Sequence, residues 1–387
     1  MGPVRVLVSF AGGRGHLLPL LPLARALRDA GHRLVLSGGH RAVAGMAGTG
    51  LFDQVLPHDR LGQPPPEPPD GGTGDLDLTP LEVEAERIGS GWAGRMGPRN
   101  RVRTAGVLER WPADLVLCDE MDFGSVAAAR DAGLPCVVVD VIASGALTRP
   151  EHVTGPLADL GLDVVTAKGD LPVVPFPPCL RDPALPLPAG AAVVRPEEPA
   201  APDGPEPDAV GWLRAHDGPR VYLTLGTVFN TGSGDLFARL LRGLAGRGAR
   251  VLATVGREVD PARVGVSADD VRVERFVPQA QVLPAVDVVV NHGGSGSVVG
   301  ALAHGVPVVA APLGADQELN AARLTALGAG LRLDPVTTAG DDVWRAVSSA
   351  LETGPRAAAR QVADEVAALP VVASLVSRVD RLVGSTL

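Results

Sequence analysis

The run NHGGSGS at residues 291–297 directly follows the apolar stretch Val286–Val290 and precedes a helical pattern. Glycines let the backbone approach an anion closely, and the free amides at a helix N-terminus favour a phosphate. His292, Ser295 and Ser297 add side-chain donors. The run has neither a Walker lysine nor a G-x-G-x-x-G pattern followed by a ribose-binding acid. It predicts a phosphate site that is neither a kinase loop nor a dinucleotide fingerprint; an ordinary glycine turn is the alternative.

Two further segments place polar or aromatic groups after predicted strands. Asp316 and Gln317, in PLGADQELN, follow the predicted strand Val306–Ala310 and offer hydrogen-bonding groups that suit a polyol. A DQ pair at a helix start is, taken alone, more often an N-cap. Phe276, in RFVPQ, ends another predicted strand, where it can stack on a base or belong to the core.

Alternating strands and helices must position these groups. The pattern predicts these elements before the proline-rich segment at 196–208: strands Val4–Phe10, Arg33–Ser37, Asp114–Cys118 and Cys136–Val141, and helices Leu17–Ala30 and Gly124–Ala132. After it, the pattern predicts strands Arg220–Leu225, Arg250–Val255, Val271–Phe276, Val286–Asn291 and Val306–Ala310, and a helix from Asp235 to about Arg247. Such alternation indicates βαβ units and parallel sheets, with ligands beyond the carboxyl ends of the strands. We therefore predict an α/β protein with two facing Rossmann-like domains and a cleft between them.

Two segments rich in proline interrupt this pattern. The acidic stretch PEEPAAPDGPEPD at 196–208 predicts a solvated linker between the domains. We predict an N-terminal domain over 1–200 and a C-terminal domain over 209–364. The stretch GQPPPEPPDGGTGD at 62–75 predicts a loop.

Composition excludes several function classes. The net charge of −9 argues against a nucleic-acid partner, because no basic stripe is available to neutralise phosphates. Cys118, Cys136 and Cys179 form no metal-binding pattern, so we predict free thiols in a reducing cytoplasm. No apolar stretch is long enough to span a membrane. Lys168 is the only lysine, which we interpret as a coding bias of a GC-rich genome.

The C-terminal motifs are more specific together than apart. In order, FVPQ, HGGSGS and GVPVVAAPLGADQELNA resemble the donor-binding signature of bacterial natural-product glycosyltransferases of the GT-B fold. Members of that family attach deoxysugars, often from thymidine diphosphate (TDP) donors. The resemblance is tight over residues 275–332 and looser over YLTLGTVFN at 222–230. It implies an inverting transferase that moves a sugar from a nucleotide diphosphate to a hydroxyl of a small-molecule aglycone, without a cofactor or a metal ion.

Matched motif by motif, the resemblance implies a set of donor-binding residues. Phe276 would stack on the base, and Val277 would contact it through its backbone. The predicted donor-binding residues are Gly226, Thr227, Phe276, Val277, His292, Gly294, Ser295, Gly296, Ser297, Asp316 and Gln317. In the plant branch an acid after the signature histidine holds the ribose, and Gly300 occupies that position here. We therefore expect the site to prefer the 2′-deoxyribose of thymidine over uridine.

The N-terminal segment GRGHLLP resembles the catalytic histidine motif of the same family, with His16 as the base. A histidine at a helix N-terminus is held neutral by the helix dipole and can accept a proton. The imidazolium then needs a carboxylate, and Asp119 at a strand end is the predicted partner. Glu120 and Asp122 stay open as alternatives. A solvent-exposed loop histidine is the other interpretation of His16, and His32 is interpreted as a turn residue.

The acceptor is not encoded in any motif. We expect the C-terminal domain to bind the donor and the N-terminal domain to bind the acceptor. The acceptor pocket should involve residues 60–105 and 141–155 together with Met121 and Phe123, and the loop at 62–75 should order over it. The tail over about 365–387 should pack back on the first domain. A homodimer and an activator protein stay open. A non-catalytic nucleotide-sugar binder would need no base, and a GT-B-like epimerase would turn over without acceptor. An NAD-dependent oxidoreductase lacks its fingerprint here.

Overall fold

The computed structural model describes residues 2–58, 76, 78–198, 205–226, 233–256 and 259–385. They form two compact units. The first holds the described residues up to 58, those from 82 to 198 and the tail from Ala368; the second holds 76, 78–81 and the described residues from 205 to Ala367. The loop predicted at 62–75, the middle of the predicted linker and Thr227 lie outside the described residues.

Seven parallel strands in the described part of the first unit form one sheet, in the order β3-β2-β1-β4-β5-β6-β7. They are β1 (Arg5–Ser9), β2 (Arg33–Gly39), β3 (Gln54–His58), β4 (Leu115–Asp119), β5 (Cys136–Val139), β6 (Leu171–Val174) and β7 (Ala192–Val193). The apolar runs of β1, β2, β4, β5 and β6 are buried because helices cover both faces of such a sheet. The strand order reverses between β1 and β4, which pair through Val6 to Ser9. Ligands of open α/β sheets bind beyond the strand ends at such a reversal.

Helices of the first unit are α1 (Arg14–Leu17), α2 (Leu21–Asp29), α3 (His40–Val43), α4 (Leu81–Glu86), α5 (Gly97–Arg110), α6 (Phe123–Asp131) and α7 (Pro150–Asp159), with a π-helix at Arg87–Met96 between α4 and α5. The predicted helix Leu17–Ala30 is thus broken, with a 3₁₀ turn at Leu18–Leu20 between α1 and α2. Pro19 and Pro22 lack the amide hydrogen that a continuous helix needs there.

The second unit repeats the same sheet plan. Its six described strands, all parallel, have the order β10-β9-β8-β11-β12-β13. They are β8 (Arg220–Thr224), β9 (Arg250–Thr254), β10 (Val271–Glu274), β11 (Val288–Asn291), β12 (Val308–Ala310) and β13 (Gly330–Arg332). The helices are α8 (Asp208–Arg214), α9 (Leu236–Leu244), α10 (Gln279–Val282), α11 (Ser295–Ala303), α12 (Gln317–Leu327), α13 (Asp341–Ala350) and α14 (Thr353–Ala368). The strand order reverses between β8 and β11, which pair through Asn291 and Thr224.

Two boundaries differ from the prediction. The described residues near 80 belong to the second unit, since the Thr79 amide donates to the Leu313 carbonyl at 3.0 Å. The helix expected from about Asp364 begins earlier, as α14, and the chain returns to the first unit at Ala368. There α15 (Val376–Gly384) buries Val379 and Val383 in the core of the first unit.

The strands β3, β6, β7 and β13 were not predicted. β3 and β6 each contain a proline, which weakens a strand pattern, and β7 and β13 have only two and three residues. No helix in the described ranges is long and apolar enough to cross a bilayer.

Candidate active site

His16 and Asp119 meet at the strand reversal of the first unit. His16 lies in α1 just beyond β1, and Asp119 is the last residue of the neighbouring strand β4. The imidazole Nδ1 lies 3.0 Å from Asp119 Oδ1. The imidazole is 21% exposed and the carboxylate is fully buried. A donating Nδ1–H makes Nε2 the basic nitrogen, which is the tautomer that a general base requires.

The Asp119 carboxylate is held by the backbone as well as by His16. Its Oδ2 accepts from the Ala11 amide at 2.7 Å, and its Oδ1 accepts from the Met121 amide at 2.9 Å. Three hydrogen bonds therefore compensate the burial of this charge. The carboxylate is fixed in orientation and can in turn fix the imidazole.

The two alternative acids have other partners. Glu120 Oε1 accepts from the amides of Val141 and Ile142 at 2.8 and 2.9 Å. Asp122 is the N-cap of α6 and accepts from the hydroxyls of Ser9 and Ser125 at 2.8 and 2.7 Å. Burial, reinforced by the charge of Asp119, raises the pKa of Asp122. Neither side chain bonds to His16 in the described structure, so the geometry selects Asp119.

Lys168, which we interpreted as a coding bias, lies in a buried ionic cluster beside this site. Its ammonium lies 3.0 Å from Glu120 Oε2 and 3.9 Å from Asp140 Oδ1. Arg181 completes the cluster, 3.3 Å from Asp140 Oδ2. Burial and the charge of Glu120 raise the pKa of Asp140 to about 6. Lys168 and Arg181 thus connect the residues that follow β4 and β5 to segments later in the chain. The sequence did not indicate this role.

Met121 and Phe123, the predicted acceptor contacts, follow β4 directly. Both side chains are buried, each with 3% exposure. Phe123 is the first residue of α6 and its side chain belongs to the interior. Their contact with an acceptor stays a prediction.

His292 lies just beyond β11 in the second unit, beside Gly226, which follows β8. In the shared strand order β8 and β11 take the places of β1 and β4, so His292 follows the strand that corresponds to that of Asp119 and not to that of His16. A Cβ at Gly226, where φ is +74°, would lie 2.7 Å from His292 Cε1. A Cβ at Gly294 would lie 2.5 Å from His292 Nε2. These two positions must be glycine for the imidazole to fit. Burial lowers the pKa of His292 to about 4, so the ring is neutral near pH 7.

The start of α11 supplies backbone donors. Its N-cap is Gly294, which carries no capping side chain. The amide of Ser295 already donates to the Asp316 carboxylate, so the amides of Gly296 and Ser297 are the ones at this helix start that can contact an anion. Gly296 is exposed and Ser297 is half-buried at this end. The side chain of Ser295 donates to Asp316 Oδ2 instead. The predicted phosphate contacts of Ser297 and the helix amides stay predictions that this geometry permits.

Asp316 and Gln317 hold the neighbouring loop in shape. Asn320 Nδ2 donates to Asp316 Oδ2 at 2.8 Å and to the Gly293 carbonyl at 2.9 Å. Gln317 is buried, and its Oε1 accepts from the Leu313 amide at 2.7 Å. These bonds connect the loop before α12 to the glycine run before α11. Contact of Asp316 and Gln317 with sugar hydroxyls stays a prediction. Asn320, which sequence reasoning missed, bonds both to Asp316 and to the glycine run.

Phe276 lies on the surface of the second unit. Its ring is 46% exposed, whereas Val277 is buried with 6% exposure. Phe276 lines an open cavity of about 470 Å³ together with Pro261, Glu274 and Arg275. An exposed aromatic ring at the rim of a cavity is available for stacking on a planar ligand.

A metal site was not expected from the sequence. The described ranges contain no group of three or more histidine, cysteine or acidic side chains arranged to hold a metal ion.

Comparison with known proteins gives a consistent result. The family described as "Erythromycin biosynthesis protein CIII-like, C-terminal domain" matches residues 238–382. The chain is 35% identical to L-demethylnoviosyl transferase of Streptomyces niveus, over 96% of both chains. It is 30% identical to 4'-demethylrebeccamycin synthase of Lentzea aerocolonigenes, over 98% of this chain and 99% of that one. The solved structure of glycosyltransferase VinC in complex with dTDP aligns with a TM-score of 0.74 and 26% identity, over 98% of this chain and all of the other.

These relatives extend over nearly the whole chain and agree with its two parallel-sheet units. The chain belongs to the family of bacterial natural-product glycosyltransferases with the GT-B fold. It is a glycosyltransferase.

Proposed function

We propose that the protein transfers a deoxysugar from a TDP-sugar to a hydroxyl of a small-molecule natural product, with inversion at the anomeric carbon. The observation that carries the proposal is the hydrogen bond between His16 and the buried Asp119. A protein that only binds nucleotide sugars has no use for a polarised base. The VinC complex with dTDP and the transferases of antibiotic pathways support the nature of the donor and of the acceptor.

The proposed chemistry is a single displacement. His16 Nε2 takes the proton of the acceptor hydroxyl while that oxygen forms a bond to the anomeric carbon. The bond between this carbon and the diphosphate oxygen breaks, and its electron pair leaves with TDP. Asp119 stabilises the imidazolium that forms, in the manner of a triad in which the substrate hydroxyl replaces serine.

The second unit stabilises the negative charge of the leaving diphosphate in this proposal. The amides of Gly296 and Ser297 at the start of α11 are preorganised donors for it. His292 adds a neutral N–H donor rather than a positive charge, because its pKa is about 4. Binding through amides and one neutral imidazole requires no divalent ion.

The location and assembly of the protein are further parts of the proposal. Cys118 and Cys136 are buried free thiols with their sulfur atoms 3.8 Å apart. Free thiols in such proximity support a reducing compartment, and we propose the cytoplasm. A homodimer remains a hypothesis that size-exclusion chromatography with light scattering will decide.

The test is a His16→Ala variant assayed for transfer and for TDP binding. We expect turnover to fall by about 10²- to 10⁴-fold, the usual contribution of a general base. TDP affinity should stay within about twofold of wild type, because the second unit holds the predicted donor-binding residues.

The matched control is His216→Ala. That imidazole lies 3.2 Å from the Gly248 carbonyl, near the amino ends of β8 and β9 and away from the donor-binding ends. Near-normal turnover in His16→Ala would contradict the proposed chemistry. Consumption of nucleotide sugar without acceptor, at a rate equal to transfer, would instead indicate an epimerase or a hydrolase.

A further inference from the structure

The imidazole of His16 has an aromatic neighbour that the proposed chemistry does not yet use. The Trp92 ring stacks on it with 4.8 Å between ring centroids and 23° between planes. Trp92 lies in the π-helix Arg87–Met96. Single-turn and longer π-helices are rare and occur often at functional sites, where they redirect a side chain.

The backbone around the two rings is shaped to admit them. Gly12, in the turn between β1 and α1, has a φ of +102°, which favours glycine. A Cβ there would lie 2.7 Å from Trp92 Cη2 and 2.9 Å from His16 Cδ2. Any larger residue would push both rings out of their stacked position. The turn at Gly12 therefore leaves room for both rings. This is an observation separate from the distance between the two ring centroids.

The π-helix is also fixed from its other side. A Cβ at Gly89 would lie 2.2 Å from the His152 carbonyl oxygen in α7, so the two backbones are in close contact. Leu160, just beyond α7, packs on Gly97 at the start of α5, where a Cβ would lie 2.7 Å from Leu160 Cδ1. The segment that carries Trp92 is therefore held against a packed helix rather than lying in an open loop.

We propose that Trp92 is a positioning residue for His16, an inference that rests on the proposed role of His16 as the base. Asp119 fixes one nitrogen of the imidazole but leaves rotation about that hydrogen bond. The indole face restricts this rotation and directs Nε2 toward the acceptor oxygen. When the imidazole takes the proton, the same face stabilises the cation by a cation–π interaction.

Such a role predicts an effect on turnover and little effect on binding. In Trp92→Leu and Trp92→Met, which keep an apolar side chain but lose the ring, we expect kcat to fall about tenfold. TDP affinity and the acceptor KM should stay within about twofold. Trp92→Phe keeps a ring face and should retain at least about half of the wild-type kcat.

The decisive measurement is the same substitution in a His16→Ala background. If Trp92 acts through His16, Trp92→Leu should change the residual rate of that variant by less than about twofold. Trp111→Leu is the matched control, because it removes a partly buried tryptophan of the same unit that packs against Val107 and Leu7 instead. We expect this control to lower Tm and to leave kcat within about twofold.

Several results would overturn the inference. They are a wild-type kcat in Trp92→Leu, an equal loss in Trp92→Phe, a loss confined to the acceptor KM, or the same tenfold loss without His16. If Trp92→Leu does not fold, as judged by circular dichroism and TDP binding, Trp92→Met and Trp92→Phe decide in its place. A fully active His16→Ala would overturn the proposed function itself, whereas an inactive His16→Ala with an unaffected Trp92→Leu would overturn only the role of Trp92.

Discussion

Each unit places a histidine just beyond a central strand at its strand reversal, but the surroundings of the two imidazoles are opposite. His16, beyond β1, contacts a buried carboxylate and an indole ring. His292, beyond β11, lies against two glycines, and burial lowers its pKa to about 4. A histidine at a strand reversal thus supports a base that can become charged in one unit and a donor that is neutral near pH 7 in the other. The side chains around each imidazole, not the sheet plan that the two units share, decide which.

The largest difference between the two histidine sites should be revealed by substituting Asp119, the partner of His16. Asp119→Asn keeps a hydrogen-bonding side chain but removes the negative charge that compensates the imidazolium. We expect kcat/KM for the acceptor to fall by at least about 10²-fold, with TDP affinity unchanged by calorimetry.

Asp114→Asn is the matched control for this substitution. Asp114 lies immediately before Leu115, the first residue of β4, and its Oδ1 lies 2.8 Å from Nη2 of Arg5. Its loss should lower Tm and leave kcat/KM within about twofold. A severe loss in Asp122→Asn with none in Asp119→Asn would show that the partner of His16 has been assigned to the wrong residue.

For the second unit, we expect a measurable preference for TDP over UDP. Gly300 lies buried within α11 and offers no side chain to a pair of ribose hydroxyls. One missing hydrogen bond at a polar group costs about 1–3 kcal/mol, so TDP should bind about ten- to a hundredfold more tightly than UDP.

Calorimetry with dUDP separates the two differences between these nucleotides. If the ribose causes the preference, dUDP should bind like TDP; if the thymine methyl causes it, dUDP should bind like UDP. Equal affinity for all three would remove the argument from Gly300.

The neutral state of His292 has a consequence for stability. Its folded pKa of about 4 lies below the ordinary value of 6.5, so its contribution to stability is present above pH 6.5 and is lost as the pH falls toward 4. Between pH 7 and pH 5 wild type should lose about 2 kcal/mol of unfolding free energy from this group.

His292→Gln should not show this loss, because glutamine does not titrate. The measurement is urea unfolding of both proteins at pH 7 and pH 5, since the carboxylates common to both cancel in the difference. If wild type and His292→Gln lost the same unfolding free energy between pH 7 and pH 5, the pKa of His292 would not be lowered in the folded protein.

The residues near these strand ends differ in how well the sequence predicts them. His16, Asp119 and His292 could be predicted because each follows an apolar run in a recognisable motif. Trp92 and Asn320 could not, because their contacts depend on a π-helix and on a loop brought back from another strand. The same limit applies to the fold. The central strands were predicted from continuous apolar runs, whereas short or proline-containing edge strands carry too little pattern.

Lys168 and His32 show a second limit. Neither belongs to a motif: the composition suggested a coding bias for Lys168, and the position just after Gly31 suggested a turn for His32. The structure buries His32, whose Nδ1 accepts from the Val4 amide at 3.1 Å. Its Nε2 lies 3.4 Å from Asp380 on α15. Lys168 and Glu120 are 48 residues apart in the sequence, and His32 and Asp380 are much farther apart. Contacts at such separation are fixed by tertiary packing, which no local pattern encodes.

The smallest effect is expected from removing divalent ions. In the first unit the carboxylate nearest to the chemistry, Asp119, is occupied by His16 and two amides. In the second, Asp316 accepts from Ser295 and Asn320. Since both carboxylates are already bonded and the diphosphate is assigned to amides and a neutral imidazole, transfer should continue after exhaustive chelation. Initial rates with EDTA should stay within about tenfold of those with magnesium, a difference of about 1.4 kcal/mol in the barrier. Rates must be taken before TDP accumulates, because magnesium also binds the product. A larger stimulation at that stage would mean that the leaving group, and not only the free product, is held by a metal ion.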